Sequence, residues 1–430
     1  MPASLRRLWR DPAAWSRTSD VLAILVAASL PWSTTLVAIF ASAFLLTMLP
    51  HLDWKAFLQS LKRPISALPI ALFVLALAGT LWSNASWAER FHAVGPFAKL
   101  LFLPLLLYQF ERSARGVQVL MAFLVSCLLL MLMSWIVAVD PSLALRSNPE
   151  YGVPVRNYID QSQEFALCAL LLAYPVITRW REKKMTLALV LAAISLSFMA
   201  NMIFVTISRT ALVTMPIMVG VFAMLHLKWR SIILIGCATA VLGALAWTTS
   251  AKLRATGAKF STEYILYSEQ NIPTSTGLRL VFWQKSLRFF SQAPIFGHGT
   301  GSIRGLFESA AVGQAGAAAE VIANPHNQTL GVAVQWGAIG VAILYAMWLV
   351  HLFAFRGACL PSWVGMMVVL QNMLTSLFNS HLVDFTAGWM YVFGVGIAGG
   401  MLGRLQRAPN HLDWESDPAH GPTQRYRAAK

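Results

Sequence analysis

The sequence predicts an all-α polytopic membrane protein with about twelve transmembrane helices, each near the roughly 20 residues a bilayer requires. Three observations carry this expectation. Hydrophobic residues make up 57% of the 430 and charged residues 12%, whereas a soluble globular chain carries roughly 25% charged residues. Mean hydropathy is +0.60. The apolar residues also gather into long runs separated by short polar breaks. A net charge of +15 would point to nucleic acid in a soluble protein. In a membrane protein it reads as topogenic charge facing anionic lipid, so membrane lipids are expected as partners and nucleic acid is not.

The runs fall near residues 20–32, 34–50, 65–82, 93–110, 117–139, 163–178, 185–207, 209–227, 231–249, 328–354, 361–379 and 386–403. Arg6 and Arg7 before the first run, with Ala41-Ser42-Ala43 after it, imitate a cleavable signal. The apolar region from Val21 to Leu49 is far longer than the roughly 7–15 residues of a signal core, and Pro31-Trp32-Ser33 divides it into two retained spans. Most Lys and Arg fall in alternate connections: Arg6, Arg7, Arg10 and Arg17; Lys55, Lys62 and Arg63; Arg112 and Arg115; Arg179, Arg181, Lys183 and Lys184; Lys228 and Arg230; Arg356; and Arg404, Arg407 and the tail. The positive-inside bias then places both termini in the cytoplasm.

This divides the chain into spans one to nine over 1–249, a large outer loop over 250–327, spans ten to twelve over 328–403 and a polar cytoplasmic tail over 404–430. The outer loop holds an amphipathic helix from Leu278 to Phe290, capped by Ser275 or Thr276. Cys127, Cys168, Cys237 and Cys359 show no metal or disulfide spacing and read as small buried apolar residues. No metal motif or P-loop is visible, so no cofactor is expected.

Several ionisable residues converge on the outer face. Arg209, in Ile207-Ser208-Arg209-Thr210-Ala211, opens the eighth span, where a helix N-terminus and a guanidinium together suit phosphate; the other reading is a lipid-headgroup anchor. Arg279, in Thr276-Gly277-Leu278-Arg279 with Trp283 four residues on, starts another outer helix. Arg288 is a further substrate-side candidate, although with Lys285 it also suits a solvated face. His326, in Asn324-Pro325-His326-Asn327-Gln328, opens the tenth span. Read alone it is equally a general base or an interfacial anchor, while Asn327 and Gln328 suit sugar hydroxyls or phosphate oxygens. Asp384, in the last outer turn, either pairs with an arginine, holds His326 or is a plain loop carboxylate. Arg156 and Asp160 form site residues or a local ion pair. Gly297-His298-Gly299-Thr300-Gly301 lacks the preceding strand of a nucleotide loop and reads as a tight turn, with His298 structural. Lys99 lies inside a span with no evident role.

Ser208-Arg209-Thr210-Ala211, Thr276-Gly277-Leu278-Arg279 with Trp283, Gly297-His298-Gly299-Thr300-Gly301 and Pro325-His326-Asn327 with Leu330 occur in the order and topology of the O-antigen ligase and polymerase superfamily, which the chain resembles. The motifs cover residues 200–340, and Thr-Gly-Leu-Arg stands where many members have Gly-Arg directly. The resemblance implies a GT-C-like membrane glycosyltransferase with its site at the periplasmic side of the bacterial inner membrane. O-antigen polysaccharide would move from undecaprenyl pyrophosphate to a lipid A–core hydroxyl in lipopolysaccharide biosynthesis, without metal or ATP. It maps the functional positions onto Arg209, Arg279 and His326, with Asp384 as an acidic partner.

Physical chemistry supports the same reading. Arginines bind phosphate bidentately, and pyrophosphate leaves readily once its charge is stabilised. The resemblance leaves an O-antigen polymerase as the nearest alternative. A lipid-linked glycan flippase or transporter is the alternative from another class; it would place ionisable residues at the midplane within inverted repeats, and neither is seen.

Overall fold

The computed structural model describes residues 11–206, 208–226 and 228–407. The N-terminal Arg6, Arg7 and Arg10 and the tail beyond Arg407 lie outside them. The described residues are helical, with one isolated bridge between Glu150 and Val153. In chain order the helices are α1 (Pro12–Ser29), α2 (Thr34–Met48), α3 (Trp54–Leu61), α4 (Pro64–Ala78), α5 (Trp87–Val94), α6 (Phe102–Phe110), α7 (Gly116–Val139), α8 (Tyr158–Arg181), α9 (Met185–Phe204), α10 (Arg209–His226), α11 (Trp229–Thr249), α12 (Ala251–Gln270), α13 (Ser275–Gln292), α14 (Ile303–Ala311), α15 (Gln328–Ala354), α16 (Leu360–Thr375) and α17 (Phe385–Arg407). Eight segments among the described residues are long and apolar enough to cross a bilayer, consistent with a polytopic membrane protein. Helices also stand at the other four expected spans. Of these, α1 carries Arg17 and Asp20, α8 carries Asp160, Glu164, Arg179 and Arg181, and α16 has only 16 residues. In the fourth, α10, the apolar part runs only from Arg209 to Val221.

Local chemistry sets the helix ends. Asp11 accepts from the Ala13 and Ala14 amides ahead of α1, with Pro12 at the first position, where its missing N–H costs nothing. Ser33 caps α2 through the Leu36 amide, so Pro31-Trp32-Ser33 makes the expected tight turn. Asn271 ends α12 in the left-handed conformation at φ 52°, which Asn tolerates better than most residues. The outer amphipathic helix starts earlier than expected. Its cap is Thr274, whose hydroxyl accepts from the Gly277 amide, while Ser275 and Thr276 lie inside the helix.

The last helix, α17, is the axis of the bundle and is buried along most of its length. A Cβ on Gly396 would lie 2.6 Å from Leu106 Cβ, and one on Gly400 2.7 Å from Phe110 Cβ. The Gly396-x-x-x-Gly400 stripe therefore packs α17 on α6 within one chain. At one end of the bundle Arg63 and Arg407 both pair with Glu111, and Arg404 donates to the Arg112 carbonyl at 3.0 Å. Connections assigned to one face by their charge thus meet on one face. Cys127 and Cys168 are buried as expected; Cys237, on α11, is exposed and departs from that expectation, since α11 has little protein packed against it.

Helix α15 is broken at Gly337, where φ is 62° and ψ is −155°. A break inside a membrane helix leaves backbone groups that lipid cannot satisfy. The Gly-His-Gly-Thr-Gly segment and the residues before it fill the gap. The His298 amide donates to the Val334 carbonyl at 2.9 Å and the Gly299 amide to the Gln335 carbonyl at 2.8 Å. From the other side, Ala338 N–H donates to Pro294 O at 2.8 Å and Ile339 N–H to Ile295 O at 3.4 Å. Thr300 fastens the loop to α4 by donating its hydroxyl to Ala76 O at 2.6 Å. His298 Nε2 lies 2.8 Å from Phe289 O, a structural contact as the sequence suggested. The segment is thus a splice for a broken helix, and the close approach needs glycine on both sides: a Cβ on Gly297 would strike the Gln335 carbonyl, and one on Gly337 the Ile295 carbonyl.

Gly337→Ala should therefore destabilise the protein by more than about 2 kcal/mol, from the disallowed backbone region together with the clash. Thermal unfolding in detergent checks this, and an unchanged midpoint would refute it.

Candidate functional site

The sequence-predicted residues divide into those the fold gathers around two cavities and those it uses elsewhere. The first cavity, of about 180 Å³, is lined by Tyr158, Ser208, Arg209, Thr210, Thr256, Lys259, Ser275 and Arg279. Arg209 stands at the start of α10 and Arg279 in the first turns of α13, so two helix N-termini and two guanidiniums meet here. Both features favour an anion.

The two arginines differ in what already holds them. Arg209 is bound in a fork by Glu263 of α12, with both N–O distances 2.9 Å, and it donates to the Thr276 hydroxyl at 3.1 Å. Glu263 also accepts from the Thr276 amide at 3.2 Å and hydroxyl at 2.6 Å. The hydrogen bonds from Arg209 hold the Glu263 carboxyl down to about 2, against the opposing effect of its burial. That value is depressed, so the pair is intact above the ordinary carboxylate range and opens only as the pH falls through about 2.

Arg279 is half-buried, and among the described residues no carboxylate closes an ion pair with it. Burial first, and then the charge of Arg209, lower its pKa. A cation held in a partly desolvated pocket beside a like charge is a place where an anion is stabilised.

His326 is joined to this cavity through α13. Its ring stacks on Phe282 with centroids 6.2 Å apart at 28°, and Phe282 is one helical turn beyond Arg279. The His326 backbone is left-handed, with φ 52°, and its amide donates to Asn324 Oδ1 at 3.0 Å. Asn324 Oδ1 also accepts from the Ser380 hydroxyl at 2.6 Å. Nδ1 of His326 lies 2.9 Å from Asn379 Oδ1. Asn379 Nδ2 donates to Asp384 Oδ2 at 2.9 Å, and His381 Nδ1 lies 3.0 Å from the same carboxylate oxygen. Asp384 thus reaches His326 through an amide and not directly.

The second cavity, of about 670 Å³, is bordered by Asn324, Pro325 and Gln328, the chain neighbours of His326, which itself lines neither cavity. Its wall includes His92, Phe97, Arg304, Asn324, Gln328 and Asp384, a mixture of apolar surface and hydrogen-bonding groups suited to a sugar. Gln328 is buried, and its Oε1 accepts from the Leu382 amide at 3.2 Å.

Other candidates stand outside the lining of both cavities. Asn327 caps α15 by accepting from the Leu330 amide at 3.0 Å and donates to the Leu377 carbonyl at 3.0 Å, so both side-chain groups are engaged. Arg156 pairs with Asp160 at 3.3 Å, donates to the Thr386 hydroxyl and lies over the Phe385 ring at 5.2 Å; it is a local ion pair that anchors α17 and lines neither cavity. Arg288 is exposed and lines neither cavity, because it sits more than two helical turns beyond Arg279. Lys99 is buried and donates to the Val383 and Asp384 carbonyls at 2.9 and 2.6 Å. Sequence reasoning missed Glu263, Tyr158, Lys259 and Asn379. Only Lys259 and Glu263, spaced four apart on one helix, left a local trace. Among the described residues no three of His, Cys, Asp and Glu gather as a metal site.

Fold and cavities describe a many-spanning membrane protein with guanidiniums and an imidazole collected at one end of its bundle. Residues 194–345 match the family described as O-Antigen ligase. The chain is also similar to an O-antigen ligase of Pseudomonas aeruginosa, 26% identical over 319 residues that cover 71% of this chain and 69% of the relative. Together these matches support an O-antigen ligase family member.

Proposed function

We propose that the protein ligates O-antigen polysaccharide, carried on undecaprenyl pyrophosphate, onto a hydroxyl of the lipid A–core oligosaccharide at the periplasmic face of the bacterial inner membrane. The observation that carries this reading is the cavity where Arg209 and Arg279 stand side by side at two helix N-termini, one helical turn from the ring that stacks on His326. A pyrophosphate is the anion such a pair suits, since each guanidinium can bind phosphate oxygens in a fork.

In this mechanism the acceptor hydroxyl gives its proton to Nε2 of His326 as its oxygen attacks the donor's anomeric carbon. The bond from that carbon to the pyrophosphate oxygen breaks with its electron pair, and Arg209 and Arg279 stabilise the departing charge. Attack opposite the leaving group inverts the anomeric centre. The larger cavity takes the acceptor sugar. The apolar spans and α13 guide the lipid chains, within a twelve-span GT-C-like architecture. Orientation with both termini in the cytoplasm follows from the basic connections.

The test is reconstitution with purified undecaprenyl-pyrophosphate glycan and lipid A–core in the presence of EDTA. Ligated lipopolysaccharide is the expected product. Elongated lipid-linked glycan without ligation would make the protein a polymerase, and movement of donor across the bilayer without any new bond would make it a transporter.

A further inference from the structure

We propose that Asn379 is a positioning residue that fixes the tautomer of His326, and that Asp384 and Lys99 hold Asn379 in the orientation this requires. The inference rests on the reading of His326 as the proton acceptor.

The argument starts from an asymmetry of the carboxamide. An amide presents a donor on one side and an acceptor on the other, and a carboxylate accepts only. Asp384 Oδ2 lies 2.9 Å from Asn379 Nδ2, so the amide turns its N–H to the carboxylate and its oxygen the other way. That oxygen is 2.9 Å from His326 Nδ1. A carbonyl oxygen accepts only, so Nδ1 must carry the hydrogen. The lone pair of the neutral ring is then left on Nε2, the nitrogen free of protein partners among the described residues. A general base needs that lone pair aimed at the hydroxyl, and one hydrogen bond at the far nitrogen decides which nitrogen bears it.

The rest of the cluster prevents the amide from turning over. The Asp384 carboxylate is held from a second direction by His381, which is buried and whose Nδ1 lies 3.0 Å away. His381 is fixed in turn by Gln163 of α8, with Nε2 to Nε2 at 3.0 Å. The backbone that carries the carboxylate is pinned by Lys99, whose ammonium donates to the carbonyls of both Val383 and Asp384. Lys99 comes from the short 3₁₀ stretch between α5 and α6. A buried lysine with two backbone carbonyls as its acceptors is an expensive way to hold a turn, and the turn it holds is the one that orients Asn379.

The experiment uses full-length protein in lipid nanodiscs, labelled with ¹⁵N-histidine, with the His326 signals assigned by comparison with a His326→Gln sample. The unmodified protein should show His326 protonated at Nδ1. Asn379→Ala should lose that preference and turn over roughly 10²-fold more slowly, the lower range of a general base's contribution, with the donor KM little changed. Asn379→Asp keeps an acceptor oxygen at the same place and should restore the Nδ1–H form and part of the rate. An Nε2–H signal in the unmodified protein would overturn the proposal without any variant. So would an Asn379→Ala protein, folded by its thermal midpoint, that keeps both the Nδ1–H form and full turnover. Absence of any transfer by the unmodified protein would defeat the proposed function instead, while the tautomer measurement would still stand or fall independently.

Discussion

His326→Ala is expected to fold, insert and bind the lipid donor, and to transfer glycan roughly 10²- to 10⁴-fold more slowly than the unmodified protein. The size follows from what is lost: proton removal from a sugar hydroxyl, which is a poor nucleophile until its proton has somewhere to go. The design needs care because position 326 has φ 52°, a conformation that costs most non-glycine residues about 1–2 kcal/mol. Asparagine adopts it more readily than alanine, so His326→Asn separates loss of the base from backbone strain. Single-turnover ligation in nanodiscs, with thermal midpoints measured in parallel, gives the answer. Rates equal to those of the unmodified protein in either variant would remove His326 from the chemistry.

The second large effect is expected at the guanidiniums. Arg279→Ala should lower turnover by roughly 10²- to 10³-fold, the usual cost of deleting one group that stabilises developing negative charge. Arg279→Lys should recover only part of it, since an ammonium keeps the charge and loses the planar fork. Arg279 is the cleaner of the two arginines because, among the described residues, it has no carboxylate partner to orphan. Arg209→Ala would leave Glu263 without its principal partner, so the loss of rate would be mixed with loss of stability. Combining it with Glu263→Gln removes the orphaned charge and isolates the effect on transfer. Donor titrations that show full turnover in Arg279→Ala would eliminate the phosphate role.

How much of this was legible in the sequence depends on the range over which each feature is encoded. Helix positions are local and cumulative, so a helix stands at every expected span, and the turn at Pro31-Trp32-Ser33 is where the pattern put it. Arg209 and Arg279, which line one cavity, lie at or near helix starts, and His326 stands two residues before one; helix starts are visible in the sequence. Thr274, and not Ser275 or Thr276, caps α13, because three successive hydroxyl residues compete and tertiary packing decides. Arg156 and Arg288 line neither cavity, since a charge near the right face does not reveal where its side chain turns. The partners Glu263 and Asn379 were not legible. One lies 54 residues from Arg209 and the other 53 from His326, and a contact across that separation leaves no periodic signal. Lys99 was conspicuous in its apolar surroundings, yet its acceptors are main-chain carbonyls 284 and 285 residues away, which no side-chain pattern records.

The carboxylate of Glu263 gives the resting site a property that its arginines alone would not suggest. One of the two guanidiniums at the cavity is already neutralised from within, so on the proposed reading the donor arrives by ion exchange: one anion displaces another on Arg209. Such an exchange weakens capture, because the incoming pyrophosphate must compete with an internal ligand that needs no diffusion to return. It also hastens discharge, because the same ligand can reclaim the guanidinium when the glycan has been transferred. An enzyme whose spent carrier is still a lipid pyrophosphate faces product inhibition by a close mimic of its substrate, and a resident counter-ion is a means of clearing it.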